Sequence, residues 1–198
     1  MAGALLSLLS QSRNGAPQGQ GGKCVPTQPS ALLARFSGFL PSSGLALDLA
    51  CGYGRNTLFL ARRGLSAVGV DRSWRALAAG REDAVRENLA IDFVQADLTT
   101  FALPAHVLSV VICFKYRDRR LYPSIRAALR PGGLLIYETY THDHARYGFK
   151  PQDPAHLLDR SELLQGFGDW EIIFYREVWM ERGAASLVAR KPFSARRC

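Results

Sequence analysis

No acidic residue precedes Asp48, no Cys-x-x-Cys pair occurs anywhere in the 198 residues, and no apolar run is long. A membrane-spanning helix needs roughly eighteen consecutive apolar residues, so no membrane span is expected. The four cysteines, Cys24, Cys51, Cys113 and Cys198, are scattered. That pattern argues against a disulfide framework and a structural zinc site, and makes a reducing, cytoplasmic compartment the expectation. Histidine is also scarce, and only His142-Asp-His144 is closely spaced. With no third ligand nearby in sequence, that pair reads as a polar loop and no metal is expected.

Residues 1–28 lack acids and are rich in Gly, Gln and Pro between Gly15 and Gly22. They are expected to be a disordered leader, with residues 29–198 as one domain. An acid-free, Ser- and Arg-bearing composition is shared by organellar transit peptides and by unstructured leaders. The formal net charge is +8. Much of it is local, in Lys115-Tyr-Arg-Asp-Arg-Arg120, Arg190-Lys191 and Arg196-Arg197. Charge runs are usually solvated faces; the functional alternative is that Lys115, Arg117 and Arg120 rim a pocket and attract an anionic substrate.

What is present is a strand-turn-helix unit. Leu45 to Leu49 reads as a short buried strand, Gly52 and Gly54 as a sharp turn, and Arg55 to Arg63 as the helix that follows, with Asn56 in its first turn. A dinucleotide fingerprint would require a third glycine or alanine at position 57, where Thr57 stands. The informative residues are acids instead. Asp48 lies four residues before the first glycine, and Asp71 closes the next apolar strand, Ala67 to Val70. Carboxylates at the ends of adjacent parallel strands face one crevice, where open α/β sheets bind ligands. A pyrophosphate would sit poorly beside Asp48, whereas a cationic ligand would be stabilised there. Asp71 is placed to accept hydrogen bonds from ribose hydroxyls.

Further strands are expected at Ile91 to Val94, Val107 to Cys113 and Gly133 to Glu138, alternating with helices from Ser73 to about Glu87 and within Arg119 to Leu129. Ser30 to Leu40 reads as a short helix capped by Ser30. A helix starts at Ser161-Glu-Leu-Leu, and Trp170 to Trp179 and Ala184 to Arg190 form an antiparallel hairpin, the only pairing so short a link permits. The class is therefore α/β, a parallel sheet flanked on both faces.

At these residues the chain resembles the class I S-adenosylmethionine-dependent methyltransferases. Asp48-x-x-x-Gly52-x-Gly54 is similar to that family's first motif, Asp71 to its ribose acid, Val94-Gln-Ala-Asp97-Leu98 to its adenine-side segment, and Leu129-Arg-Pro-Gly-Gly133 to its turn into the fifth strand. Leu47-Asp-Leu-Ala-Cys51-Gly-x-Gly-Arg-Asn56 and Tyr137-Glu-Thr-Tyr140 resemble its small bacterial branch related to the tellurite-resistance methyltransferase. The resemblance implies a doubly wound, Rossmann-like, seven-stranded sheet, mostly parallel with one antiparallel strand near the C-terminus. It also implies S-adenosylmethionine as cofactor, held by Asp48, Cys51, Gly52, Gly54, Asn56, Asp71, Arg72, Asp97, Leu98 and Cys113.

Methyl transfer from a sulfonium is an in-line displacement that asks the protein mainly to orient the acceptor and exclude water. The acceptor side should lie where the fourth and fifth strands end, with Tyr116 and Glu138 as the catalytic candidates and Glu138 as the base if a proton must be removed. The family's amine-methylating branches carry Asn or Asp, Pro, Pro and an aromatic after the fourth strand; Cys113-Phe-Lys-Tyr116 stands here. A small-molecule acceptor, anionic if the basic run serves it, is thus favoured over a polymer. Cys113 either ends a core strand or acts as a thiol on a soft element. Trp74 is either core or a platform for the adenine ring. The residues leave open a non-catalytic cofactor-binding or RNA-associated protein and, less well supported, an NAD-dependent oxidoreductase.

Overall fold

A computed structural model describes residues 28–148, 150, 153–179 and 183–193. The leader expected at 1–28 therefore lies almost wholly outside the described residues, as do Arg196 and Arg197. Seven strands form one sheet: β1 (Leu45–Leu49), β2 (Ser66–Asp71), β3 (Asp92–Gln95), β4 (Leu108–Phe114), β5 (Leu129–Tyr140), β6 (Glu171–Val178) and β7 (Ala184–Arg190). Their order is β3-β2-β1-β4-β5-β7-β6. All neighbouring pairs are parallel except β5 with β7 and β6 with β7, so β7 is the one strand that runs against the rest. The expected seven-stranded, doubly wound sheet is what forms.

The helices are α1 (Ala31–Arg35), α2 (Arg55–Arg62), α3 (Trp74–Arg86), α4 (Leu121–Ala128), α5 (His142–Arg146) and α6 (Glu162–Phe167). Strand alternation divides the core between the two faces. Leu47, Leu49, Val111, Cys113, Leu135 and Tyr137 face one way, clustered with Leu121, Ile125, Leu163 and Phe167. Ala46, Val110, Ile112, Leu134 and Ile136 face the other way, with Leu33, Phe36 and Leu60. Central strand β4 is buried along its whole length, whereas edge strand β6 is partly exposed throughout. Continuous apolar sequence in the first and broken patterning in the second follow from having one or two covered faces.

Several boundaries differ from the sequence reading. The expected helix Ser30 to Leu40 is α1 followed by a 3₁₀ turn, Ser37–Phe39. Ser30 does not cap it with its side chain; its Oγ accepts a hydrogen bond from the Arg55 guanidinium at 3.1 Å. Strand β5 starts at Leu129, before Pro131 and Gly132, because Leu129 pairs with Leu108 ahead of the register shift into Leu134 opposite Val110. Lys191, expected in a solvated tail, donates its ammonium to the carbonyls of Arg126 (2.5 Å) and Leu129 (2.7 Å), capping the end of α4. No helix among the described residues is long and apolar enough to cross a membrane.

Candidate active site

The chain order sends β1 to β2 and β3 on one side and to β4 and β5 on the other, so the sheet reverses direction between β1 and β4. That reversal is of the winding order, the strands β1 and β4 remaining parallel, and the switch point opens a crevice at their carboxyl ends. Two residues there carry strained backbone: Ala50 after β1 has φ 55° and Lys115 after β4 has φ 59°. Side chains at such angles are held by their surroundings. Lys115 is held by its own N–H, which donates to the Glu138 carbonyl at 2.8 Å.

Asp48 is 1% exposed. Alternation turns it toward α2, where the Thr57 hydroxyl donates to its Oδ2 at 2.7 Å. Burial pushes its carboxyl up to about 7, against the opposing effect of Thr57. Position 57, read in sequence only as a missing glycine, is thus the hydrogen-bonding partner of the crevice's buried acid. A hydroxyl in the first turn of a helix packed on that strand was the available signal.

The turn itself is pinned to β2. The Cys51 N–H donates to the Val70 carbonyl (3.0 Å) and the Gly52 N–H to Asp71 Oδ2 (2.8 Å), while the Ser73 N–H takes Asp71 Oδ1 (2.8 Å). Each carboxylate oxygen keeps a further lone pair for a ligand. Gly52 and Gly54 both have positive φ, at 57° and 77°, but for different neighbours. A Cβ on Gly54 would lie 2.6 Å from the Phe93 ring, so that glycine makes room for the core. A Cβ on Gly52 would meet nothing within 4 Å, so that glycine faces open space.

The remaining cofactor candidates divide. Asn56 is buried and its Oδ1 accepts the Ser30 N–H at 2.8 Å, tying the segment before β1 onto α2. Cys51 is buried beside Gly69, and burial raises its thiol well above the usual range. Arg72 is exposed and its carbonyl accepts from Gln95 Nε2 at 3.2 Å. Asp97 is exposed, with Oδ1 accepting the Thr99 N–H (2.9 Å) and its carboxyl held below the usual range by that contact. Leu98 and Cys113 belong to the core, 6% and 0% exposed. Burial pushes the Cys113 thiol up to about 12. That shift disfavours the thiolate a reactive role would need. Trp74 is half-buried beneath the Arg81 guanidinium, whose carbon is 4.9 Å from the ring centroid.

On the acceptor side, the structure does not join the two catalytic candidates. Glu138 shares the Ile136 face of β5 and accepts from Ser186 Oγ at 2.7 Å. Tyr116 packs against the opposite core, its hydroxyl raised above the usual range by burial. Its carbonyl accepts the Tyr137 hydroxyl at 2.9 Å and the Cys113 thiol at 3.6 Å.

Sequence reading missed the group that organises this side. Glu162, 2% exposed at the start of α6, accepts both guanidinium arms of Arg117 (3.0 Å each), Arg119 (2.8 Å), the Tyr122 hydroxyl (2.8 Å) and the Asp159 N–H (2.9 Å). Burial would raise its carboxyl, but Arg119 and Arg117 outweigh burial and hold it down to about 2. Arg120 is paired with Asp118 at 2.8 Å. Of the expected basic rim, Arg117 is held in an internal ion pair, Lys115 is exposed, and Arg120 is paired with Asp118 while most of its side chain stays exposed. His142 and His144 diverge: His142 meets Asp159 at 3.1 Å, while His144 is buried, stacked on Tyr140 at 3.9 Å, with Nε2 on the Lys150 carbonyl at 2.9 Å. No cluster of three or more potential metal ligands occurs among the described residues.

The pattern for the family described as "Methyltransferase domain" matches residues 46–133. Hemagglutinin 1 of Eikenella corrodens is 31% identical over 66% of this chain and 45% of its own length. The ubiquinone biosynthesis O-methyltransferase of Histophilus somni is 25% identical over 60% of this chain and 63% of its own. The chain thus spans about half to three-fifths of these curated relatives. Among solved structures, TehB from Haemophilus influenzae superposes with a TM-score of 0.67 at 21% identity, covering 81% of this chain and 61% of that one. An S-adenosylmethionine-dependent methyltransferase from Mesorhizobium loti superposes with a TM-score of 0.66 at 19% identity, covering 82% and 99%. The family match falls on the residues that build the Asp48 and Asp71 crevice, so the chain is similar there to a methyltransferase domain and, over most of its length, in fold to S-adenosylmethionine-dependent methyltransferases.

Proposed function

We propose that this chain transfers the methyl group of S-adenosylmethionine to a small-molecule acceptor by in-line displacement. The observation that carries the reading is the pairing of a buried acid, Asp48, with a left-handed glycine turn whose Gly52 faces open space. The residues fit a cationic nucleoside. Asp48 gains its charge most readily beside a cation, Asp71 has lone pairs left for ribose hydroxyls, and Gly52 lets the ligand approach the backbone. Asp97 and the Leu98 backbone would border the base. When bound, the cofactor supplies an electrophilic methyl carbon.

The chain's own contribution is placement. The strand exits carrying Lys115-Tyr116 and Glu138-Tyr140 would border the acceptor, and the Glu162 ion pairs keep the first of them in position. Orientation of this kind lowers a displacement barrier without a catalytic proton transfer when the acceptor is already anionic. The lack of a Tyr116–Glu138 contact supports an acceptor that needs no relayed base. Two buried free thiols, Cys51 and Cys113, accord with a reducing, cytoplasmic setting.

Calorimetric titration with S-adenosylmethionine and its demethylated product tests the cofactor half. Saturable binding that weakens at least about tenfold in Asp71→Asn is expected, and no heat at millimolar cofactor overturns the reading. Cell extract incubated with the protein and methyl-labelled cofactor tests the acceptor half. A labelled small molecule supports it, and label found in RNA or protein overturns it.

A further inference from the structure

Past the end of β5 lies a second hollow, of about 240 Å³, that the methyl-transfer reading leaves unused. Leu158 and Val178 give it an apolar wall, and Arg160, Glu177 and Trp179 also line it. The Arg160 guanidinium carbon sits 3.5 Å from the Trp179 ring centroid. A guanidinium laid flat on a ring is desolvated on that face but keeps its N–H edge available in the plane, where a carboxylate or phosphate is met by two parallel hydrogen bonds.

Two of the three acids that line the hollow are ion-paired away from this edge, and the third, Glu177, is held by a backbone N–H. Asp159 is taken by Arg119 and by His142. Asp143 pairs with Arg146 at 3.3 Å, and Glu177 Oε1 accepts the Ser161 N–H at 2.6 Å. Among the described residues no carboxylate lies within ion-pairing distance of Arg160, although three acids line the same hollow. The wall also contains Thr141, whose buried hydroxyl has no hydrogen-bond partner among the described residues.

We propose that this hollow binds a small anion, a carboxylate or phosphate monoester carrying a flat apolar body, with its charge on the Arg160 edge and its body against Leu158, Val178 and the Trp179 indole. The site goes beyond the proposed methyl transfer, since its occupant need not be the acceptor. It also differs in kind from the Asp48 crevice: one gathers an acid behind a turn, the other exposes a cation on an aromatic ring.

The test uses the full-length protein and its intrinsic fluorescence, with phenyl phosphate and phenethylamine as probes of the same ring and opposite charge. Phenyl phosphate is expected to give a saturable change that disappears in Trp179→Phe. Arg160→Gln should weaken it by about tenfold, and Arg160→Lys, which keeps charge but not the planar fork, by less. Benzoate and inorganic phosphate titrated alongside separate the carboxylate and phosphate sources and show what the ring contributes. No saturable change at about 10 mM phenyl phosphate, an affinity indifferent to Arg160→Gln, or preference for phenethylamine overturns the proposal. A thermal melt confirms that the exposed-site variants fold. Cofactor titration of Arg160→Gln, expected to match the parent, keeps a failure here distinct from a failure of the methyl-transfer reading.

Discussion

The two sides of the crevice are built by different physics. The β1–β2 side is local in sequence: Asp48, Gly52, Gly54, Thr57 and Asp71 lie within one strand-turn-helix-strand unit and are joined by short hydrogen bonds. The β4–β5 side is held from a distance, by Glu162 gathering Arg117, Arg119 and Tyr122 across 40 or more positions of chain. The first side is specified by backbone conformation and the second by a buried ion-pair network. A ligand pocket that must recognise one cofactor can rely on a motif. A pocket whose ligand varies between relatives can be rebuilt by moving charges between loops, which is an account of why the second side has no sequence signature.

Breaking the distant side should have the largest effect. Glu162→Ala leaves half-buried Arg117 with only the Ala155 carbonyl and opens the buried centre of the network, and such a loss costs about 3–5 kcal/mol, or roughly 10 °C in Tm for a domain of this size. Thermal unfolding checks this, and a shift of only a degree or two would show that water replaces the carboxylate. Next is the glycine pair. Gly54→Ala combines left-handed strain with a clash against Phe93 and should cost about 3 kcal/mol. Gly52→Ala, strained but uncrowded, should cost about 1–2 kcal/mol while losing much more cofactor affinity than stability. Denaturant melts paired with cofactor titrations separate the two, and equal losses in both would erase the distinction between a core-facing and a ligand-facing glycine.

Asp48 sharpens the same contrast through pH. Its folded carboxyl, raised to about 7, holds a proton that the unfolded chain releases near the usual value of 3.8. Its contribution to stability is therefore complete below about pH 4 and lost as pH rises toward 7, at up to about 1.4 kcal/mol per unit. Cofactor binding should run the other way, strengthening with pH through 7 as the carboxylate forms and releasing a proton below it. Asp48→Asn should flatten both profiles, measured by melts and by calorimetry in buffers of different ionisation heat. The smallest effect is expected from Tyr137→Phe, which removes the hydrogen bond to the Tyr116 carbonyl for about 1 kcal/mol. Its measurable consequence is faster amide exchange at residues 115–117, absent if core packing alone holds that exit.

Legibility followed the same division. Strands β1 to β5 and the β6–β7 hairpin could be read from apolar runs and turn residues, because each run is set by burial on one or two faces. The start of β5 could not, since Leu129 joins the sheet through a register shift opposite Leu108 that Pro131-Gly132 disguises as a simple helix stop. Asp48, Gly52 and Asp71 stood out from spacing. Thr57 did not, because its importance lies in what its hydroxyl touches. The basic run 115–120 was visible as charge, but that its arginines pair with acids at 118, 159 and 162 was not.

By itself the sequence determined the α/β alternation, the turn after β1 and the acids beside it, since these depend on periodicity and on conformations open to glycine within a few residues. Only the tertiary structure decided which glycine faces open space and which the core, where the basic run finds its acidic partners, and that Arg160 lies on Trp179 beside two ion-paired acids and Glu177. Those outcomes depend on pairs brought together from far along the chain. Side-chain type alone cannot say whether a charge meets its partner, a ring or open space.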